Sequence, residues 1–275
     1  MTQISHPADT HPLVLPVRIA LDENPRYKGS IHDDAVARAQ GFRAALVPGA
    51  FIYGHFSRLA IMAWGENWAK YGSMGARFRR PVYNGDDLAL SRGEFLLRDG
   101  VWRADVSAAN QEGEVVAVGW IGLPETPQVA PERASIALIE RPKERQKLDI
   151  GTLVSGLPVL TYERILTQSD FEDSLAAFGE DHPIYSDPGF VHAGCLMRLA
   201  MGDTNQSYEY PAPIVLTQAE AQHYAHVYPG QKICFGGTIT NVYERNGRHY
   251  FDSEEYMIAD NKVVARFRRT SIYSD

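Results

Sequence analysis

The sequence predicts an α+β protein built twice over, with two curved antiparallel sheets each wrapping a central helix. The first observation is a matched spacing. Pro48-Gly49 opens an apolar helical stretch, and Val82-Tyr83-Asn84-Gly85 places Gly85 36 residues after Gly49. Ala193-Gly194 opens a similar stretch, and Val227-Tyr228-Pro229-Gly230 places Gly230 36 residues after Gly194. The second observation is a shared order after each of those glycines: a strand, an Asp99-Gly100 or Asn246-Gly247 turn, another strand, and a last strand starting near Val115-Val116 or Val263-Val264. Asp-Gly and Asn-Gly favour the positive φ values of tight hairpins, so each half ends in an antiparallel meander. The third is the apolar helix upstream of each meander, suited to burial against a sheet. Four features in one order point to an internal duplication.

In the first half, Phe51, Ile52, Leu59, Ala60, Met62, Ala63 and Trp64 recur at a rough helical spacing, which predicts a helix over residues 51–68. Between Leu123 and Leu160 the composition changes. Pro124, Pro127 and Pro131 precede the charged run Glu140-Arg141-Pro142-Lys143-Glu144-Arg145, where neither period holds. The expected division is therefore 1–122, a connector at 123–160, and 161–275. The second half adds a helix over residues 169–178, with Ser169 and Glu172 as its capping box and Phe171, Leu175 and Phe178 on one apolar face. Gly179 is placed to end it.

A chain of 275 residues, 44% apolar, is long enough to bury one large core or two small ones. With 27 Lys+Arg against 34 Asp+Glu the formal charge is −7, and no long basic block appears; nucleic acid and anionic membrane are not expected partners. Cys195 and Cys234 stand in unrelated contexts without a C-x-x-C pair, which argues against a disulfide framework or a cysteine-built zinc site and fits a reducing cytoplasm. The polar start of the chain lacks a signal-peptide pattern, and no apolar run approaches the ~20 residues of a bilayer-spanning helix. A soluble, cytoplasmic protein is expected, with a homodimer as one assembly open to it.

The segment Arg77-Phe78-Arg79-Arg80-Pro81-Val82-Tyr83-Asn84-Gly85-Asp86 resembles the strand-and-turn element Pro-Val-x-x-Gly-Asp of the MaoC-like dehydratases, also called hydratase-2 proteins. Residues His32-Asp33-Asp34 through Gly41-Phe42 to Val47-Pro48-Gly49 resemble the middle of that signature. Gly179-Glu180-Asp181-His182-Pro183-Ile184-Tyr185 resembles its catalytic loop, Gly-Asp-x-Asn-Pro-x-His, and Val191-His192-Ala193-Gly194 its His-Gly step into the central helix. The resemblance covers most of residues 20–120 and 160–275. It implies a double hotdog and a lyase acting on an α,β-unsaturated or 3-hydroxy acyl thioester, such as an acyl-CoA, or on a related carbonyl compound, with no cofactor and no metal. The family's loop uses an acid at the Asp position and a base at the final His position. Here Glu180 stands for the Asp, His182 for the Asn and Tyr185 for the His. In the first half Asp22-Glu23-Asn24-Pro25-Arg26-Tyr27 keeps Asp and Asn-Pro and again places a tyrosine at the His position.

Hydration of a 2-enoyl thioester needs a proton carrier, a water held at the β-carbon, and donors for the enolate oxygen. A carboxylate beside an imidazole can supply the first two. Glu180 and His182, two apart in an extended segment, would face the same side and share a cavity, with Tyr185 or His192 as a helper. The same residues also suit backbone capping in a turn. Gly194, and Gly49 in the other half, begin the central helices, where free N–H groups can meet an oxyanion; a glycine there also allows close backbone approach. Tyr53, His55, Ser57 and Arg58 lie on the first turns of the first helix, and Arg79, flanked by Arg77 and Arg80, can meet an anionic tail or form a solvated face. His223, Tyr224 and His226 cluster in the second half, where a metal would need a further ligand. Three functions stay open: a hydratase or dehydratase, a noncatalytic protein binding an acyl or hydrophobic ligand, and a thioesterase or cyclase on the same scaffold.

Overall fold

The computed structural model describes residues 7, 11–21, 25–186 and 189–274. Its elements run β1 (Leu13–Arg18), α1 (Asp34–Ala39), α2 (Gly49–Trp64), α3 (Glu66–Tyr71), β2 (Ser73–Phe78), β3 (Asp87–Arg92), β4 (Leu96–Arg98), β5 (Val101–Ala109) and β6 (Val115–Pro124) in the first half. The second half follows with β7 (Pro158–Val159), β8 (Arg164–Ile165), α4 (Gln168–Ala176), α5 (Ala193–Ser207), β9 (Val215–His223), β10 (Lys232–Arg245), β11 (Arg248–Ala259) and β12 (Lys262–Ser274). Residues 123–160 begin with the end of β6 and hold only a single helical turn at Arg133–Ser135 and the short β7 beyond it.

All twelve strands form one sheet in the order β1-β3-β5-β6-β2-β9-β12-β11-β10-β7, with β4 added to β5 and β8 to β10. The order reads the same outward from its middle. There β2 and β9 pair antiparallel from Ser73 opposite Gln222 to Arg77 opposite Gln218, so the last strand of one half's order meets its counterpart in the other. The hairpin turns form where the sequence places them, with Asp99 and Gly100 at φ 50° and 72° and Asn246 and Gly247 at 53° and 76°. A third tight turn, Asp260-Asn261, joins β11 to β12 with φ 46° and 63°; it lacks the glycine that marks the others. Gly85 and Gly230 share the same positive φ, 89° and 86°, as equivalent turn positions in the two halves should.

The central helices α2 and α5 lie against this sheet. From Ala50 to Trp64 every residue of α2 except Arg58 and Met62 is buried, which is why its apolar pattern is nearly all-round rather than a stripe. The expected helix over residues 51–68 is in fact two. Gly65 takes φ 57° and ψ −137°, a conformation that side-chain-bearing residues rarely adopt, and it separates α2 from α3, which carries Trp68. In the second half the capping box also differs from expectation. Thr167 is the N-cap, its hydroxyl accepting from Asp170 N while the Asp170 carboxylate accepts from Thr167 N at 2.7 Å. This Thr-x-x-Asp pair sits two residues before Ser169-x-x-Glu172 and starts the helix earlier. Phe171 and Phe178 are buried on the predicted face.

The two central helices touch where they are smallest. A Cβ on Gly194 would lie 2.6 Å from Gly54 Cα and 2.4 Å from the Phe178 ring, and one on Gly54 would lie 2.1 Å from that ring. Phe178 thus fills the notch left by two missing side chains. In Gly194→Ala the obstruction includes backbone, so the helices must part; Gly54→Ala displaces Phe178. Both are expected to lower stability by about 1–3 kcal/mol, read from the urea midpoint. A midpoint unchanged from the parent in either would show that the crossing is looser than these distances require.

Candidate active site

The opening of α5 is organised by His192. It is the N-cap, and its Nδ1 accepts the Gly194 N–H at 3.1 Å. With Nδ1 occupied as an acceptor, the hydrogen of the neutral ring sits on Nε2, which points at Ser57 Oγ 3.1 Å away on α2. Ser57 in turn donates its own hydrogen to Gly54 O at 2.7 Å. The direction of this chain follows from its first bond: Gly194 amide to imidazole, imidazole to hydroxyl, hydroxyl to carbonyl. The ring is stacked on Phe178, with centroids 4.3 Å apart.

The Glu180 carboxyl reaches the same place. Gly179 at φ 55° turns the chain out of α4, and the Glu180 N–H donates to Leu175 O at 3.0 Å, closing the helix end. The Glu180 side chain is 2% exposed, its Oε2 lies 3.9 Å from His192 Nε2, and its Oε1 accepts the His182 N–H at 2.9 Å. At 3.9 Å the acid and imidazole approach each other without a hydrogen bond, and burial keeps His192 neutral. Tyr185 is buried and close by, 5.6 Å from His192 ring to ring. Desolvation, and secondarily the Glu180 charge, push its phenol well above the usual range, so it stays protonated. On the rim Arg58 donates to Asp181 at 2.9 Å.

Glu180, Tyr185, His192 and Gly194 therefore come together, joined by Ser57 and His55 from the other half. His55 is buried, edge-on to Phe178 at 5.7 Å. Two expectations about this cluster need correction. The His182 ring is not the partner of Glu180: Pro183–Tyr185 forms a helical turn, and His182 caps it, Nδ1 accepting the Ile184 N–H at 3.2 Å. His182 keeps extended backbone angles, φ −64° and ψ 130°, but its ring is committed to the Ile184 N–H, and His192 is the imidazole nearest the Glu180 carboxyl. Second, the Gly194 N–H is not free for an oxyanion because His192 holds it, and Gly194 serves the helix crossing. The donor left over is one residue earlier: Ala193 N–H, first in the helix, makes no hydrogen bond to the described residues.

The remaining first-half candidates have other surroundings. Gly49 packs under Phe78, where a Cβ would lie 2.7 Å from the ring. Arg79 is exposed, following Phe78, whose ring is turned in against Gly49, so it does not meet the site; Arg80 pairs with Glu114 at 3.4 Å. Tyr53 is buried with its hydroxyl unpartnered. His32 Nδ1 lies 2.6 Å from Leu46 O, and Asp33 caps α1, three backbone N–H bonds holding its carboxyl below the ordinary value. Tyr27, at the position matching Tyr185, accepts a hydrogen bond from Arg198 of α5 at 3.2 Å. Asp22, Glu23 and Asn24 lie outside the described residues. The broader grooves, of about 590 and 670 Å³, lie elsewhere, along β5, β6, β2 and β9 and lined by Arg103, Asp105, Trp120 and Glu220. Among the described residues no group of His, Cys, Asp or Glu is arranged to hold a metal ion, and no helix is long and apolar enough to cross a membrane.

Burial pulls His55 down to about 4 and His192 down to about 3, each neighbouring charge adding to the desolvation. Both rings are therefore neutral in the folded chain, whereas in the unfolded chain they titrate near 6.5. Below that pH the unfolded state binds protons that the folded state refuses, so stability is full above about pH 6.5 and declines as pH falls toward 4 and then 3. The urea midpoint should be level from about pH 8 to 7 and drop below, with a shallower drop in His192→Gln. A drop as steep in the variant as in the parent would remove His192 from this account.

No protein-family model and no curated protein matches the sequence. Solved structures do match in shape. One described as a MaoC-like dehydratase superposes with a TM-score of 0.65 at 15% identity, covering 97% of this chain and 98% of its own. A conserved hypothetical protein from Mycobacterium tuberculosis, described as having a double hotdog fold, gives 0.61 at 14% identity over 96% of both chains. An acyl-ACP thioesterase from Bacteroides thetaiotaomicron gives 0.51 at 11% identity, over 94% of this chain and 97% of its own. At these identities the likeness speaks to the fold. The chain is a double hotdog, with the architecture of structures described as MaoC-like dehydratases.

Proposed function

We propose that this chain is a hydratase or dehydratase acting on a 2-enoyl or 3-hydroxyacyl thioester, an acyl-CoA in the simplest case. One observation carries the reading: at the place of the family's catalytic acid, Glu180 holds a buried carboxyl beside an imidazole and a phenol, at the open start of a central helix. In the dehydration direction the Glu180 carboxylate takes the proton from the carbon next to the thioester carbonyl. The charge that gathers on the carbonyl oxygen is met by the Ala193 N–H and the helix dipole. The 3-hydroxyl then leaves with the proton that the Glu180 carboxyl has taken up, giving the enoyl thioester and water, while the protonated Tyr185 phenol donates a hydrogen bond without giving up its proton. His192 positions rather than transfers: its Nε2–H faces both Ser57 and Glu180.

The thioesterase reading finds less support in the geometry. A serine nucleophile needs an imidazole nitrogen to accept its hydrogen, whereas Ser57 receives a hydrogen from His192 and gives its own to Gly54 O. The noncatalytic reading, a binder of an acyl or other hydrophobic ligand, is favoured by the close packing around Glu180, which borders none of the larger grooves. The buried Cys195 and Cys234 suit a reducing compartment, and we propose that the protein is cytoplasmic.

Purified protein should consume the conjugated thioester absorbance of crotonyl-CoA. Glu180→Gln should lose about 10²–10⁴-fold in rate with an unchanged melting temperature, and His182→Ala should retain most of it. Release of free thiol in place of hydration would turn the assignment to a thioesterase, and equal rates in Glu180→Gln and the parent would end the proposed role of the carboxyl.

A further inference from the structure

Tyr185 has a second neighbour besides the acid. It forms one wall of an enclosed void of about 10 Å³, shared with Trp68, Phe190, Ala193, His223 and His226. A space of this size takes one small group. Of the two imidazoles on its wall, His226 is already engaged: it stacks flat on Phe190 at 4.4 Å, and its nitrogens lie 3.0 Å from Tyr228 Oη and 3.3 Å from Glu66 O. His223, the last residue of β9, is 1% exposed, and neither of its ring nitrogens has a hydrogen-bond partner among the described residues. Its nearest ring is Trp68, 5.7 Å away. A buried imidazole with no protein partner can take one from a polar group that enters the void.

We propose that His223 is a specificity residue, hydrogen-bonding an uncharged oxygen, keto or hydroxyl, at the far end of a short acyl chain whose thioester lies at Ala193 and Glu180. The proposal rests on the acyl-thioester reading above and deepens it. The chain is short because Trp68 and Phe190 close the void. The oxygen is uncharged because the ring is neutral: burial, with the His226 charge as a lesser cause, draws it down to about 4. A neutral imidazole offers one donor and one acceptor, which match a hydroxyl, and its donor alone matches a keto group. A plain alkyl end would leave both nitrogens unpaired.

The test uses two saturated thioesters of nearly equal shape, neither of them open to hydration: pentanoyl-CoA and 4-oxopentanoyl-CoA, with binding measured by calorimetry. The parent is expected to hold the 4-oxo compound about tenfold or more tighter. His223→Leu should bind the two alike, and His223→Gln, which keeps a donor and an acceptor, should recover part of the preference and serves if the leucine variant does not fold. Equal binding of both thioesters by the parent overturns the role of His223 and leaves the acyl-thioester reading standing. Binding of neither overturns that reading, and this proposal with it.

Discussion

The structure turns on the contact between Gly54 and Gly194. Two central helices from two halves of one chain meet with no side chain between them, and the space that two β-carbons would take is filled by the ring of Phe178. Phe178 lies two residues past the end of α4, its N–H donating to Leu175 O, so the crossing pins that helix end from inside. Gly179 then reverses the chain at positive φ, and Glu180 follows with its amide tied back to Leu175. The carboxyl is buried because the aromatic ring two residues before it is locked between helices. His192 lies on the other face of the same ring and is held there by stacking. Acid and imidazole are brought together by packing rather than by attraction for each other, which explains how both survive at nearly full burial without an ion pair.

The sheet order is symmetric about β2 and β9, yet the chemistry is not. In the first half, Tyr27 is occupied by Arg198, which also lies over Phe51 at 4.4 Å. In the second half the equivalent tyrosine faces a carboxyl and a void. The second half also carries a buried polar network: Arg269 bridges to Glu255, both fully buried, and Thr204 of α5 donates to Glu255 at 2.7 Å. Such networks rarely add net stability over apolar packing, but each member fixes the others' geometry. This one ties the far end of α5 to β11 and β12, and the near end of α5 is where His192 sits. The half that carries the buried Glu180 carboxyl is also the half whose central helix is held at both ends.

The fold was legible because its cues are local and repeated. Asp99-Gly100, Asn246-Gly247 and the matched turns at Gly85 and Gly230 each impose a backbone conformation that few other residues accept, and two copies reinforce one another. The cues that misled were also local. Ser169-x-x-Glu172 has the form of a capping box, but Thr167-x-x-Asp170 has the same form one half-turn earlier, and only the packing of Phe171 and Phe178 decides between them. Pairing Glu180 with His182 overlooked the turn that Pro183 starts, whose Ile184 N–H takes the His182 ring as its cap. Ser57 and His55 could not be assigned to the second-half cluster from sequence, since they reach it across the helix crossing from more than a hundred positions away. Ala193 was hidden by the glycine beside it.

A shared fold leaves the reaction open, because dehydratases and thioesterases both superpose on this chain. The placement of hydrogens bears on one of these routes, hydrolysis through a serine nucleophile. Hydrolysis of a thioester through serine requires the hydroxyl hydrogen to move onto an imidazole; in this cluster the Gly194 amide already occupies Nδ1, so the ring has only a donor to offer, and the Ser57 hydrogen is committed to a carbonyl. To reverse that chain of donors, the ring would have to give up the cap of α5. Elimination across a carbon–carbon bond needs neither change. It asks for one carboxyl able to take and return a proton, a phenol that keeps its own, and an amide at the helix start that no described residue occupies; Glu180 and Tyr185 lie beside His192, and Tyr185 shares a void with Ala193.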